Sequence, residues 1–349
     1  MTAESNETQE SVKYVVIDTC IWVHSTRLLS TALGSALLYA ISRTNSRLAL
    51  PEIIEREMQK HTMKLGIDAV QKIDDSYRLI EVLMGRRDDY QVPSQDDFAR
   101  RVDERLAELS RLVHRVPFTF AHASGALARV LDETPPNRSK DQQFKDSAIW
   151  EAILELAESG EVHFVTEDKA FFVDRKPEQG PAANLEEEAN GRVQLFYTLP
   201  SYLDQIKQNI PDLDESAVAQ RLSDALSESL LELANKKDYR IGSLQSHVFG
   251  FYLTERPCFL AVDFELTYAV HDLRLAADQP RVSGTQRVRG NSGYDIQHNS
   301  VEDAFIERIE TLSLDGEPLP RFGLVGLRAG SIELGRRTIP YQLKEALPG

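Results

Sequence analysis

Hydrophobic positions in the first two hundred residues switch repeatedly between the period of a strand and that of a helix. Tyr14 to Ile17 is apolar on both faces, as a central parallel strand requires, and Leu28 to Ile41 follows with three helical turns of Leu and Ala. Arg47 to Leu50 predicts a second strand. Pro51 then opens a helix whose inward stripe is Ile53, Ile54, Met58 and Leu65. From Lys64 to Val130 the pattern is helical nearly throughout, in segments Ile67 to Met84, Phe98 to Val113 and Phe120 to Leu131. Ile149, Trp150, Ile153, Leu154, Leu156 and Ala157 mark a further helix, closed by Ser159-Gly160, and Val162, Phe164 and Val165 mark the strand after it. The polar segment from Asp174 to Arg192 reads as a mobile loop. Val193 to Thr198 predicts another strand, and Leu199 to Ile206 a closing helix.

Pro211 interrupts two helical patterns, and beyond it the character changes. A helix from Glu215 to Asn235 precedes strand-like runs at Val248 to Thr254, Phe259 to Val270 and Ile306 to Leu314. Leu260, Val262, Phe264, Leu266, Tyr268 and Val270 alternate strictly, so that strand has one buried face. The expected organisation is a disordered tail over 1–11, an α/β domain over 12–208 with a helical insertion at 64–135, and an α+β domain over 212–349 rich in antiparallel strands.

Composition narrows the functional classes. The 349 residues include two cysteines, Cys20 and Cys258, too few for a disulfide framework and without zinc-ligand spacing, which points to a reducing compartment. No run approaches the ~20 apolar residues of a membrane span, and the acidic opening MTAESNETQE lacks the features of a targeting peptide, so a cytoplasmic protein without membrane contact is expected. A net charge of −15 argues against coating nucleic acid by bulk electrostatics; any such contact must be local. Arg86-Arg87, Arg100-Arg101 and Arg111 to Arg115 are candidates for a basic rim, against the plainer reading of solvated helix faces. Arg281, Arg287 and Arg289 fall in a Gly/Ser-containing stretch read as an exposed loop.

Four acids depart from that background. Asp18 ends the first strand, where capping the next helix is the plain alternative. Glu57 lies four residues after Ile53 and three after Ile54, on the inward stripe, whereas Glu55 falls about 100° off it. Asp146 precedes Ile149 and Trp150 by three and four, again on the buried side, and Asp168 stands past a strand at the sheet edge where α/β proteins place ligands. Inward carboxylates cost several kcal/mol (~) unless paired, protonated or bound to metal. Asp141 reads as a helix cap and Glu167 as a neighbour pointing elsewhere. Arg138 and Lys145, just ahead of Asp146, are a candidate pair of phosphate-binding cations.

The segments YVVIDTCIW with Asp18, PEIIEREM with Glu57, KDSAIW with Asp146, and FVTEDKAFF with Thr166 and Asp168 together resemble the PIN-domain nuclease family, over roughly residues 12–206. They resemble its larger, PIN-like branch, with a helical insertion and an additional C-terminal domain. The resemblance implies a three-layer α/β/α fold around a parallel sheet and a divalent-metal-dependent phosphodiesterase, most often an endoribonuclease. Asp18, Asp146 and Asp168 become direct or water-mediated ligands of Mg²⁺ or Mn²⁺, Glu57 a ligand or water-positioning group, and Thr166 the support for the turn holding Asp168. RNA is the implied partner, with single-stranded DNA as the second candidate. The C-terminal domain is left for a protein partner or a second copy of the chain. Two alternatives stay open: a PIN-like binding or regulatory module without catalysis, and a nuclease directed at DNA. Thr-Glu-Asp departs from the family pattern by placing Glu167 where many members carry a small or polar residue. A phosphatase with Asp18 as covalent nucleophile would need a second aspartate two residues on, where Cys20 stands.

Overall fold

The computed structural model describes residues 12–85, 93–138, 140–206, 208, 210–236, 239–272 and 282–313. The expected tail over 1–11, the Arg86-Arg87 pair and Arg281 lie outside the described residues. The chain divides into two compact units. Among the described residues, one comprises 12–23 and those within 41–202, and the other comprises 24–40 and those within 203–313.

The first unit is built on a parallel five-stranded sheet of order β3-β2-β1-β4-β5, flanked by helices. The strands are β1 (Val12–Ile17), β2 (Ser46–Pro51), β3 (Val113–Val116), β4 (Gly160–Val165) and β5 (Val193–Phe196). Tyr14 to Ile17 are all buried, which suits the middle strand of a sheet covered on both faces. Register then decides the site. Ile17 pairs with Val165, so β1 and β4 end level and the residues that follow each emerge side by side. Gly160 starts β4 because a side chain there would lie 2.0 Å from the Val12 carbonyl oxygen.

Helix α1 (Ala32–Arg43) follows β1, and α2 (Glu52–Met84) follows β2. Where the sequence predicts two helices around Gly66, α2 runs unbroken for 33 residues. Gly66 makes room for Phe98, whose ring would lie 2.7 Å from any added Cβ, so α3 (Gln95–Glu108) packs directly on α2. The expected helix to Val113 ends at Glu108, and the chain then forms β3, the edge strand beside β2. Pro51 closes β2 rather than opening the helix, and its backbone is extended.

Helices α4 (Phe120–Leu131) and α5 (Phe144–Ser159) pack on one another, and α5 lies against β1, β4 and β5 through Ile149, Trp150, Ile153 and Leu156. The segment expected to be a mobile loop after Phe172 forms two short 3-10 turns and α6 (Ala183–Ala189), anchored by buried Leu185. Helix α7 (Leu199–Leu203) follows β5.

The second unit carries α8 (Glu215–Lys236) and an antiparallel sheet of order β6-β7-β8-β9, with β6 at Tyr239–Leu253, β7 at Phe259–Asp272, β8 at Val282–Asp295 and β9 at Ser300–Ser313. Val262, Phe264, Leu266 and Tyr268 form its core with Val218, Leu222, Leu226 and Leu230 of α8. Arg287 and Arg289, expected on a loop, stand within β8; Arg287 pairs with Glu265 at 3.0 Å and with Glu310 at 3.5 Å, and Arg289 pairs with Glu265. They belong to a cross-strand charge ladder, the sheet counterpart of helical ion pairs. Among the described residues, no helix is long and apolar enough to cross a membrane.

Candidate active site

Parallel strands deliver whatever follows their carboxyl ends to one sheet edge. Asp18 follows β1, and its backbone N–H continues the ladder to Val165 at 2.9 Å; Thr166 follows β4 and bonds the Phe196 carbonyl at 2.9 Å. The Thr166 side chain is fully buried. Its hydroxyl donates to Asp18 Oδ2 at 2.7 Å and accepts the Asp168 N–H at 3.0 Å, so one threonine fixes both acids. Asp168 Oδ1 accepts the Ala170 N–H at 2.8 Å, which caps the 3-10 turn Lys169–Phe171.

Thr19 makes the corresponding link on the other side. Its N–H donates to Asp18 Oδ1 at 2.6 Å and its hydroxyl to Glu57 Oε2 at 3.2 Å. Glu57, in the second turn of α2, also pairs with Lys145, while Glu55 faces Arg115 at 3.2 Å. Lys145 therefore stands among the acids. Arg138 is exposed, and its backbone exchanges hydrogen bonds with that of Asp141. Asp141, expected to cap α5, instead forms an ion pair with Arg175 and accepts from the Gln143 amide at 3.2 Å. Gln143 occupies the cap position without a side-chain capping bond.

Asp146, half-buried in the first turn of α5, completes the group by charge rather than by direct bonding. Its pKa is pushed up to about 7, chiefly by burial, then by the charges of Asp168, Asp18 and Glu57, with Lys145 opposing. Burial likewise raises Asp18 to about 6, against hydrogen bonds from Thr166 and Thr19, and the charges of Asp168 and Glu57 add to the rise. Lys145 is held above the ordinary lysine range by its hydrogen bond to Glu57. Cys20 sits 3.9 Å from Asp18 Oδ2, and burial, Asp18 and Glu167 raise its thiol pKa well above normal, which removes it as a nucleophile.

Asn137, which the sequence reading missed, holds the start of α5. Its Oδ1 accepts the Gln143 N–H at 2.6 Å, and its Nδ2 donates to Ser147 Oγ at 2.7 Å and to the Thr134 carbonyl at 3.1 Å. The residue is buried, so the loop before α5 is a built support for Lys145 and Asp146. Arg129 anchors the other side of this helix, paired with Glu151 of α5 and Glu188 of α6, and Glu188 also accepts from the Trp150 indole at 2.9 Å. Burial acts to lower the Arg129 pKa, but Glu188 and Glu151 outweigh it and leave the value raised. An asparagine after two prolines and an arginine inside an Ala-rich helix were the available signals.

The donor set is entirely oxygen, the kind that suits Mg²⁺ or Mn²⁺ rather than Zn²⁺. As placed, no three His, Cys, Asp or Glu side chains among the described residues stand close enough to hold one ion. Glu57 is engaged by Lys145 and Thr19, and Asp18 by Thr166 and Thr19. Burial is the main cause of the raised Asp18 and Asp146, and the charges of the neighbouring acids add to it; a divalent cation would offset that added repulsion, so the residues fit such an ion by chemistry.

Comparison with curated proteins and with solved structures returns no match. Residues 15–171, which contain all four acids, match the family model described as PIN domain, a nuclease-type fold. Over these residues the chain is similar to the PIN domain family.

Proposed function

We propose that the chain is a metal-dependent endoribonuclease whose centre is Asp18, Glu57, Asp146 and Asp168. The observation that carries this reading is the linkage of acids from four separate segments: Thr166 joins Asp18 to Asp168, Thr19 joins Asp18 to Glu57, and Asp146 is coupled to all three by charge. Structural acids do not need to converge in this way, because like charges brought together destabilise the fold. Asp18, Asp146 and Asp168 would hold Mg²⁺ or Mn²⁺, with Glu57 as a further ligand or the group that orients water. The ion, when bound, would lower the pKa of water and offset the charge gathering on the phosphate.

The chain's own residues have defined tasks in this reading. Thr166 and Thr19 fix the direction of the Asp18 carboxylate. Glu57 accepts a proton from the attacking water. The water oxygen bonds to phosphorus as the bond to the 3′ oxygen breaks; that oxygen takes a proton from a solvent water as it leaves, and Glu57 returns its proton to solvent. Lys145 balances the charge of Glu57 and Asp146 between turnovers, and Arg138 contacts a substrate phosphate from the exposed loop.

Purified chain with Mn²⁺ is expected to cut single-stranded RNA, and Asp146→Asn to abolish cutting while leaving the circular dichroism spectrum unchanged. Full activity in Asp146→Asn would contradict this assignment. The ion pair from Lys145 to Glu57 favours one second reading, a nucleic-acid-binding module in which a lysine takes over an acid. In that case Mn²⁺ would neither raise the melting temperature nor support cleavage.

A further inference from the structure

Helix α2 brings Glu57 to the acidic site and, on the next ridge round, carries cations along an open groove. We propose that this groove holds the phosphate backbone of a single-stranded nucleic acid beside the cleaved bond, with Lys60 and Lys64 as its positioning cations. The inference rests on the nuclease reading and locates the strand that such an enzyme must hold.

The geometry follows from the helix. Residues four apart form ridges on its surface, each step advancing about 6 Å along the axis. Arg56, Lys60 and Lys64 form one ridge, and Gln59, Met63 and Ile67 form its neighbour; the groove between them has a volume of about 430 Å³ and is completed by Gln95 of α3. At 100° per residue, the cation ridge stands between the Met63 ridge and the ridge that begins at Glu57. Lys60 and Lys64 are thus three and seven residues from Glu57, about 4.5 and 10.5 Å along the axis. A strand leaving the acidic site along α2 meets one cation and then the next.

The charges are available to a ligand. Arg56 is shared with Glu52 at 2.5 Å, but among the described residues neither Lys60 nor Lys64 has an ion-pair partner, and both are exposed. Two of the acids near the groove are engaged elsewhere: Asp97 is held by Ser94 and Arg100, and Asp103 accepts from Gln59 at 3.5 Å. In a chain of net charge −15, two unpaired lysines lining a groove are a local exception of the sign that phosphates require. Met63 and Ile67 offer an apolar wall against which a base can lie, and the amide of Gln95 offers hydrogen bonds to its edge. The groove runs between two ridges of one helix, with Gln95 at its side, a width that suits one strand better than a duplex.

The test uses the full chain. Fluorescence anisotropy would measure binding of a 16-nucleotide single-stranded RNA to Asp146→Asn with and without Lys60→Gln/Lys64→Gln, across a salt series. The double substitution is expected to weaken binding about tenfold and to reduce the salt slope by about 1.4, the value for two lost phosphate contacts on a single strand. Lys60→Arg/Lys64→Arg should retain binding. With the native acids in place, Lys60→Gln/Lys64→Gln should cleave a dinucleotide as the unsubstituted chain does but cleave the 16-mer with a raised KM. Unchanged affinity and slope overturn the proposal, as does equal loss on the dinucleotide, or a duplex that competes as well as the single strand. An unsubstituted chain that binds the 16-mer through these lysines yet cuts nothing would leave the groove standing and remove the nuclease reading.

Discussion

Thr166 and Asp18, 148 residues apart in the chain, are joined by a buried hydrogen bond of 2.7 Å from the threonine hydroxyl to Oδ2. Because the same hydroxyl accepts the Asp168 N–H, Thr166→Val strands a carboxylate oxygen and a backbone donor together. Leaving a buried polar group unpaired costs about 1–3 kcal/mol. Thr166→Val is therefore expected to lower the melting temperature and to reduce RNA cleavage at least tenfold, while Thr166→Ser keeps most of both. Thermal unfolding and initial rates on the three proteins check it; equal activity in Thr166→Val would show that the bridge does not orient the acids.

Arg129 stabilises the helix that carries Asp146. Removing one member of a buried ion pair leaves its partner uncompensated, at a cost of about 3–5 kcal/mol. Glu151 is half-buried and Glu188 exposed, so water takes up much of that cost, and Arg129→Met should lose about 1–2 kcal/mol in urea unfolding. Adding Glu151→Gln should recover part of it, because the less exposed of the two acids is then no longer charged.

Asn137 supports the same helix from its start. Asn137→Ala leaves the Gln143 N–H without its acceptor, while the Thr134 carbonyl keeps the backbone N–H of residue 137 and the Ser147 hydroxyl keeps the Gln143 carbonyl. A loss of about 1–3 kcal/mol is expected, together with weaker Mn²⁺ binding by calorimetry, since Asp146 is in the first turn of this helix.

Stability of the metal-free protein should fall as pH rises from about 5 to 8. Asp18 and Asp263 are raised to about 6, and Asp146 and Glu307 to about 7, all chiefly by burial. Between the unfolded and folded pKa values the native state holds protons that the unfolded state has released, so unfolding gains with each rise in pH. This contribution is greatest below the ordinary carboxylate range and is lost as pH passes through the folded values. The lowered acids, such as Glu161 and Asp295, act with the opposite sign, but at lower pH. Urea midpoints of the metal-free protein across this range should decline, and Glu307→Gln should flatten the slope. A rising midpoint would contradict the assignment.

The elements that position the acids were legible where burial imposed a pattern. Tyr14 to Ile17, the apolar stripe of α5 and Val162 to Val165 are specified by what they bury, and that is enough to place Asp18, Asp146 and Asp168 at the ends of their elements. The length of α2 was not legible, because the stripe ending at Leu65 and the segment from Ile67 read as separate helices, and no pattern shows that Phe98 packs on Gly66 between them. Nor was β3: four residues, with Arg115 exposed, are too few to establish a period of two amid helices. Thr19 and Asn137 act through side-chain bonds between separate segments, which leave no periodic trace, and Thr166 was legible only through the family resemblance. Arg287 and Arg289 read as a loop because Gly and Ser surround them, whereas pairing with Glu265 on the neighbouring strand keeps them in a sheet.

Hydrolysis in ¹⁸O-labelled water is the most direct measurement of the central claim, that water positioned by these acids cuts an RNA phosphodiester. With Mn²⁺ and a single-stranded RNA, mass spectrometry should find one ¹⁸O in a 5′-phosphate on the downstream fragment and an unlabelled 3′-hydroxyl on the upstream one. Fragments ending in 2′,3′-cyclic phosphate, or no cleavage of any RNA, would contradict the account.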